Sequence, residues 1–291
     1  MKNGQNAIGQ AIAEIAALVP GQARQNGDYI GDEDLLYCGV CHRPKQCWVD
    51  FMGTLRKMPV VCQCEKDRLA AEEAEKARVQ FAKKVERLRA DCFSKTDGES
   101  TSAAEATFSR DKRRDVKVSN AMRRYVDKWE TMQRQNVGLL LCGNVGTGKS
   151  FYAACIANAL IDKGIAVKMT SFDRISNTLF GMNTGRQAYL DKLAGYPLLI
   201  IDDLGAERSS EYMLGLVFAV IDARYQANLP LIVTTNVDLA EIKEPSDLKY
   251  KRIYDRVLEM CHPVKFEGPS YRRETLRENF AERAKLLGLG D

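Results

Sequence analysis

The stretch Gly143-Asn144-Val145-Gly146-Thr147-Gly148-Lys149-Ser150 has the spacing GxxxxGK[ST]. It follows the apolar run VGLLLC, which ends at Cys142, and opens a predicted helix from Ser150 to Asp162. A strand that turns through glycines into a helix is an arrangement for phosphate. The glycines let backbone N–H groups converge on phosphate oxygens, and the helix N-terminus adds partial positive charge. Lys149 is expected to reach the β- and γ-phosphates of a nucleotide, and the Ser150 hydroxyl to help hold a magnesium ion. The nucleotide-contacting segment is expected to comprise Gly143, Asn144, Val145, Gly146, Thr147, Gly148, Lys149, Ser150 and Phe151.

Outward from this loop, from about Phe108 onward, short apolar runs alternate with amphipathic helical stretches: IAVKMT, SFDRISNTLF, YPLLIIDD, EYMLGLVFAVIDARYQ, PLIVTT and PVKF. Near-continuous apolar strands separated by helices predict an α/β domain with a parallel sheet covered on both faces. The run Leu198–Ile201 delivers Asp202 and Asp203 at the end of a strand, where ligands bind in open sheets of this class. Asp202 is expected to hold magnesium, and Asp203 to orient or deprotonate an attacking water. Asn236 ends the strand Leu231–Thr235, where its amide can meet a γ-phosphate. Arg252 and Arg256 share a face of a predicted helix from Asp247 to Met260. Arg272 and Arg273 begin a last helix, and arginine can stabilise charge on a transferring phosphoryl group.

The N-terminal part has a different texture. Five of the nine cysteines, Cys38, Cys41, Cys47, Cys62 and Cys64, lie within 27 residues. Two pairs of thiols on tight turns suit tetrahedral zinc, and Cys38, Cys41, Cys62 and Cys64 are the expected ligands, with Cys47 or His42 as possible replacements. Scattered Cys142 and Cys155 sit in apolar surroundings that suit buried thiols. From Glu65 to about Cys92 the sequence is rich in helix formers and free of Gly and Pro, with a broken apolar stripe, which predicts an exposed connecting helix. Ser94–Thr107 is expected to be a linker. The predicted division is therefore residues 1–64, with a zinc module at 38–64, then a helix and linker at 65–107, then the nucleotide domain at 108–291.

Charge is mild, a net +4 from 43 basic and 39 acidic residues, and does not by itself indicate nucleic acid. Residues 1–37 carry two basic and five acidic side chains, whereas Arg110–Arg134 carries nine basic and four acidic ones, a stripe that suits phosphate or a solvated helix face. No apolar run approaches the roughly 18 residues of a bilayer span, and Ala7–Val19, a short amphipathic helix candidate, makes a poor signal peptide. No membrane association and a cytoplasmic location are expected.

The phosphate loop, LLIIDDLGAE, TTN, RIYDRV and SYRR, in that order from Phe108 to Phe280, resemble the AAA+ ATPase domain of the DnaC-type replicative helicase loaders; transposition ATPases of the IstB type share most of it. The resemblance implies a five-stranded parallel sheet with a small helical lid, and ATP as the nucleotide. It makes Lys149 and Ser150 the Walker A residues and Asp202 and Asp203 the Walker B acids. Asn236 becomes the sensor on the adjacent strand, Arg256 the arginine finger offered to a neighbouring subunit, with Arg252 in reserve, and Arg272 the second sensor. It departs from many AAA+ ATPases in having Asp203 where they have Glu, one methylene longer, which suits a slow switch. The implied partners are the replicative DNA helicase, single-stranded DNA and further copies of the chain in the ATP state, with the zinc module gripping or regulating the helicase. Two other readings are a helper ATPase acting on a transposase, and a zinc-dependent DNA-binding regulator in which ATP is a structural ligand. A metabolic phosphotransferase is disfavoured by Asn236 and the late arginine pairs.

Overall fold

The computed structural model describes residues 25, 27–93, 101–112, 115–206, 210–287 and 289. The expected helix at Ala7–Val19 lies outside them. The chain divides into two compact units, Met1–Phe81 and Ala82–Asp291.

In the first unit, strands β1 (Tyr29–Ile30) and β2 (Leu36–Tyr37) pair antiparallel, as do β3 (Gln46–Phe51) and β4 (Thr54–Pro59). The β3–β4 turn places both Met52 and Gly53 at positive φ, 52° and 79°, and the Gly53 N–H donates to Asp50 Oδ1 at 2.9 Å. Two left-handed residues in a tight turn match the twist of the flanking strands. Helix α1 (Gln63–Cys92) starts at the second cysteine pair and runs through the division between the units. Its exposed portion carries local ion pairs from Arg68 to Glu65 and Glu72 and from Arg78 to Glu75, the i,i+3 and i,i+4 pattern of a solvated helix.

The expectation of an exposed helix needs correction at its end. Val85, Leu88 and Cys92, three and four apart, form one apolar face; Cys92 is fully buried in the core of the second unit, with Val85 and Leu88 packed against it. Within the expected linker, Thr101–Ala104 is a short helix, α2, and Ala106 is buried.

The second unit continues with α3 (Val116–Asp127), α4 (Trp129–Arg134), β5 (Gly138–Gly143), α5 (Lys149–Asp162), β6 (Val167–Thr170), α6 (Phe172–Phe180) and α7 (Arg186–Ala194). It ends with β7 (Leu198–Leu204), α8 (Glu211–Ala227), β8 (Leu231–Thr235), α9 (Leu239–Lys243), α10 (Leu248–Met260), β9 (Cys261–Phe266) and α11 (Tyr271–Leu286). The sheet is five-stranded and parallel, in the order β6-β7-β8-β5-β9. Alternation along each strand feeds two cores. Leu139, Leu141, Leu198, Ile200 and Ile232 face a core built with α3 and α5; Leu140, Leu199, Ile201, Leu231 and Val233 face one built with α6, α8 and α10. Burial on both faces is why these strands read as unbroken apolar runs. The C-terminal ends of β5, β7 and β8, central in the sheet, gather the polar residues of the candidate site.

One buried cation ties the second core together. Arg224 on α8 is fully buried; its guanidinium donates to the carbonyls of Ala194 (2.7 Å), Tyr196 (2.5 Å), Pro197 (3.2 Å) and Pro230. It thereby caps α7 and holds the entries to β7 and β8, while burial pulls its pKa down to about 10. Arg224→Met would leave these carbonyls without their donor in a dry interior. We expect a loss of about 3 kcal/mol in chemical unfolding of the second unit; a midpoint unchanged from the parent would refute this role.

Candidate functional site

The loop after β5 adopts its shape because its glycines lie where side chains do not fit. Gly143 has φ 138°, and a Cβ there would lie 2.2 Å from the Phe266 carbonyl oxygen. Gly146 has φ 82°, and a Cβ would lie 2.1 Å from Ser270 Oγ. The loop is thus pressed against the end of β9 and the start of α11, where the Tyr271 N–H donates to the Gly146 carbonyl at 2.9 Å. Thr147 Oγ1 closes the turn by donating to the Asn144 carbonyl at 2.8 Å.

Lys149, the first residue of α5, is buried and donates from Nζ to the carbonyls of Gly143 and Asn144 and to Asn236 Oδ1, each at 2.8 Å. Burial lowers its pKa, opposed by the charges of Asp203 and Asp202. A cation held by neutral oxygens has charge left to offer an anion.

Across the cleft, the pairing of β7 with β8 shifts register between Ile201 and Leu204, and Asp203 has φ 59°. This irregularity turns two consecutive acids out of the sheet together. Thr234 Oγ1 donates to Asp202 Oδ1 at 2.6 Å and accepts the Asp203 N–H at 2.9 Å, so one hydroxyl orients both. Asn236 Nδ2 donates to Asp203 Oδ1 at 3.3 Å, which makes this amide the link between Lys149 and Asp203. Burial first, and then the charge of Asp202, raise the pKa of Asp203.

Ser150, Phe151, Asp202, Asp203 and Arg272 line one cavity of about 490 Å³, and Lys149 and Asn236 join it through the hydrogen bonds above. The structure therefore brings together the loop, both acids, Asn236 and Arg272. Arg252 and Arg256 on α10 do not line this cavity. Arg256 Nε lies 2.8 Å from Asp222 Oδ1, an ion pair without an aligned hydrogen bond, and its guanidinium stacks over Phe218 and Tyr225 at 4.8 and 5.7 Å. Phe218, Asp222 and Tyr225 occupy one face of α8 at i, i+4 and i+7. Thr234 and the Tyr271 N–H carry no motif of their own in the sequence, where the tripeptide TTN marks Asn236 alone.

The second candidate site is in the first unit. The sulfurs of Cys38, Cys41, Cys62 and Cys64 lie within 4.8 Å of one another, with Cys38–Cys64 and Cys62–Cys64 at 3.5 and 3.4 Å. Four thiolates about 2.3 Å from a tetrahedral zinc would be separated by about 3.8 Å, so the donor set fits that ion. Cys47 and His42 fall outside this cluster; His42 Nδ1 instead meets the Tyr29 hydroxyl at 3.2 Å. Backbone N–H groups of Cys41 and Val40 lower the Cys38 pKa, and those of Cys64 and Arg43 bring Cys41 to about 6. Burial raises Cys62, and the three neighbouring thiols push Cys64 to about 12. Crowded thiols of which some are already favoured as thiolates are poised to exchange protons for a cation.

A glycine-rich loop between a parallel strand and a helix, facing paired acids on a neighbouring strand, defines a phosphate-loop nucleotide-binding domain. The family model described as "IstB-like ATP binding protein" matches residues 94–279, and the chain belongs to this family. It is 29% identical over 149 residues to the replicative helicase loader DnaI of Bacillus subtilis (strain 168), covering 46% of this chain and 47% of the relative. It is 26% identical over 139 residues to the replicative helicase loader DnaC of Escherichia coli (strain K12), covering 46% and 54%. The chain thus spans about half the length of these curated relatives. A crystal structure of DnaI superposes with a TM-score of 0.50 at 26% identity, over 59% of this chain and 93% of that one. The α/β architecture with a five-stranded parallel sheet agrees with the expected fold class. Among the described residues, no helix is long and apolar enough to cross a membrane.

Proposed function

We propose that the chain is an ATP-hydrolysing loader that places a replicative DNA helicase on single-stranded DNA, with ATP acting as an assembly and release switch. The observation that carries this reading is the single cavity shared by Ser150, Asp202, Asp203 and Arg272, wired to Lys149 through Asn236, in a domain homologous to helicase loaders. Lys149 trades its carbonyl partners for the β- and γ-phosphates. Ser150 and Asp202 would hold magnesium, which would neutralise phosphate charge when bound. Asp203 accepts the proton of the attacking water, and Asn236 orients that water or the γ-phosphate. Arg272 approaches from α11, and Arg256, or failing it Arg252, comes from a neighbouring copy. Arg256 must then exchange Asp222 for phosphate, so assembly and hydrolysis are coupled.

Phe180 and Tyr212, two exposed rings on α6 and α8 that meet at a tilt of 35° with centroids 5.2 Å apart, support a contact with single-stranded DNA. Exposed aromatic faces bind bases without regard to sequence. The zinc module is assigned to holding the helicase.

Because the Asp203 pKa is raised, the acid limb of ATP turnover should lie above the ordinary carboxylate range near pH 4. A profile of kcat/KM, which reports the free enzyme, whose acid limb is not raised above the ordinary carboxylate range would count against Asp203 as the base. The decisive experiment mixes the full chain with the hexameric replicative helicase, single-stranded DNA and ATP, and follows transfer of helicase to DNA. Arg256→Ala should lower assembly-stimulated turnover about a thousandfold while ATP affinity stays within about threefold. Failure to capture the helicase, with ATP still bound, would overturn the loader reading; capture of a transposase in its place would favour the transposition helper.

A further inference from the structure

The four-cysteine centre leans on a charged pair that contributes none of its sulfurs. Asp28 and Lys45 form an ion pair at 2.7 Å with side chains only 2% and 4% exposed. Asp28 Oδ2 also accepts the Gln25 N–H at 2.9 Å, and Oδ1 accepts the Gly39 N–H at 3.1 Å. Gly39 lies in the turn between Cys38 and Cys41, and the next amide, Val40 N–H, donates to Cys38 Sγ at 3.4 Å. The turn and the segment bearing Asp28 are in close contact, since a Cβ on Gly39 would lie 2.2 Å from the Gly27 carbonyl oxygen. Lys45 is equally tied down: its N–H donates to the Leu36 carbonyl at 2.6 Å, and its carbonyl accepts from Val60 N–H at 2.8 Å, two residues before Cys62.

A buried ion pair is weak evidence for stability, because desolvating both charges offsets their attraction. This pair has another task within reach. Four thiolates around a divalent ion leave a net charge of about −2, here on a site in which Cys38 and Cys62 are buried. An ammonium tied through Asp28 to the Cys38–Cys41 turn offsets part of that charge; burial pulls the Lys45 pKa down, yet Asp28 first and then Cys38 and Cys62 raise it above its ordinary value. Asp28 meanwhile holds both the ammonium and the turn. Groups that orient metal ligands in this way commonly set metal affinity by 10–100-fold.

We propose that Asp28 and Lys45 are positioning residues of the four-cysteine metal centre, fixing the Cys38–Cys41 turn and offsetting the charge of the thiolates around zinc. This rests on reading the cysteines as zinc ligands. The test uses the full chain, with zinc affinity from competition with a chromophoric chelator and ligand geometry from the absorption of the cobalt-substituted protein. Lys45→Met and Asp28→Asn should each bind zinc about 10–100-fold more weakly. Both should still show tetrahedral cobalt–thiolate bands at saturating metal. Affinities within twofold of the parent in both variants would overturn the proposal. Should Lys45→Met give no cobalt bands at all, Lys45→Arg decides: affinity within about threefold of the parent supports the charge role, and a loss as complete as in Lys45→Met overturns it. A parent chain without stoichiometric zinc and without cobalt–thiolate bands would overturn the zinc reading and this proposal with it, whereas a loaded parent with unaffected variants overturns the proposal alone.

Discussion

Lys149→Met should lower ATP turnover at least about a thousandfold and weaken ATP binding as well. A cation placed where phosphate charge accumulates, in a site with little water, acts far more strongly than in bulk solvent. Lys149 is already buried with its ammonium on the Gly143 and Asn144 carbonyls and on Asn236, so the protein has met most of the desolvation before the nucleotide arrives. Methionine matches the length of the side chain and carries no charge, which keeps packing changes small. The measurement is turnover together with equilibrium binding of a non-hydrolysable ATP analogue. A variant that retains a tenth of parent turnover would show that the loop amides alone hold the phosphates.

Cys62→Ser should unfold the first unit while leaving the second intact. Among the described residues of the first unit, few apolar side chains are buried beyond Leu35 and the cysteines, whereas Trp48, Phe51, Met52 and Leu55 are exposed. If the four cysteines hold zinc, as proposed, a module this small would rely on it, since structural zinc contributes about 10–16 kcal/mol of apparent binding free energy at neutral pH. Removing one of four ligands forfeits most of that. Proteolysis should then cut within residues 27–62, and the ATP-dependent thermal shift of the second unit should persist. The parent treated with a strong chelator should show the same pattern. An uncut N-terminal unit in both cases would mean that it folds without zinc.

The α/β half was legible because its strands are buried on both faces. Leu198–Ile201 and Leu231–Val233 give runs that no surface segment supports, and the glycine loop marks where β5 meets a helix. Other features left no such trace. The β3–β4 hairpin turns at Met52-Gly53, and methionine is not a residue that announces a left-handed position. Arg224, read on a helical wheel, belongs with surface cations; only the convergence of α7, β7 and β8 makes it an interior residue. Asp28 and Lys45 are 17 positions apart, and no periodicity links them. Thr234 sits in a run of strand formers, and its hydroxyl matters only because the register shift in β7 brings two acids to it. Motifs that act through consecutive residues were visible, and constellations assembled by tertiary structure were not.

The amide of Asn236 spans the cleft, its oxygen on Lys149 and its nitrogen on Asp203. On the proposed roles of Lys149 and Asp203 it would work as an interlock. As long as the ammonium stays on the amide oxygen, the amide cannot turn, and the carboxylate opposite is kept in a fixed pose. An incoming triphosphate that draws the ammonium away would release the catch on both sides at once. With Lys149 on phosphate and Asp203 as base, as proposed, arrival of the nucleotide would come first and readiness of the base second, so fuel would not be spent by a site that has not yet closed on it.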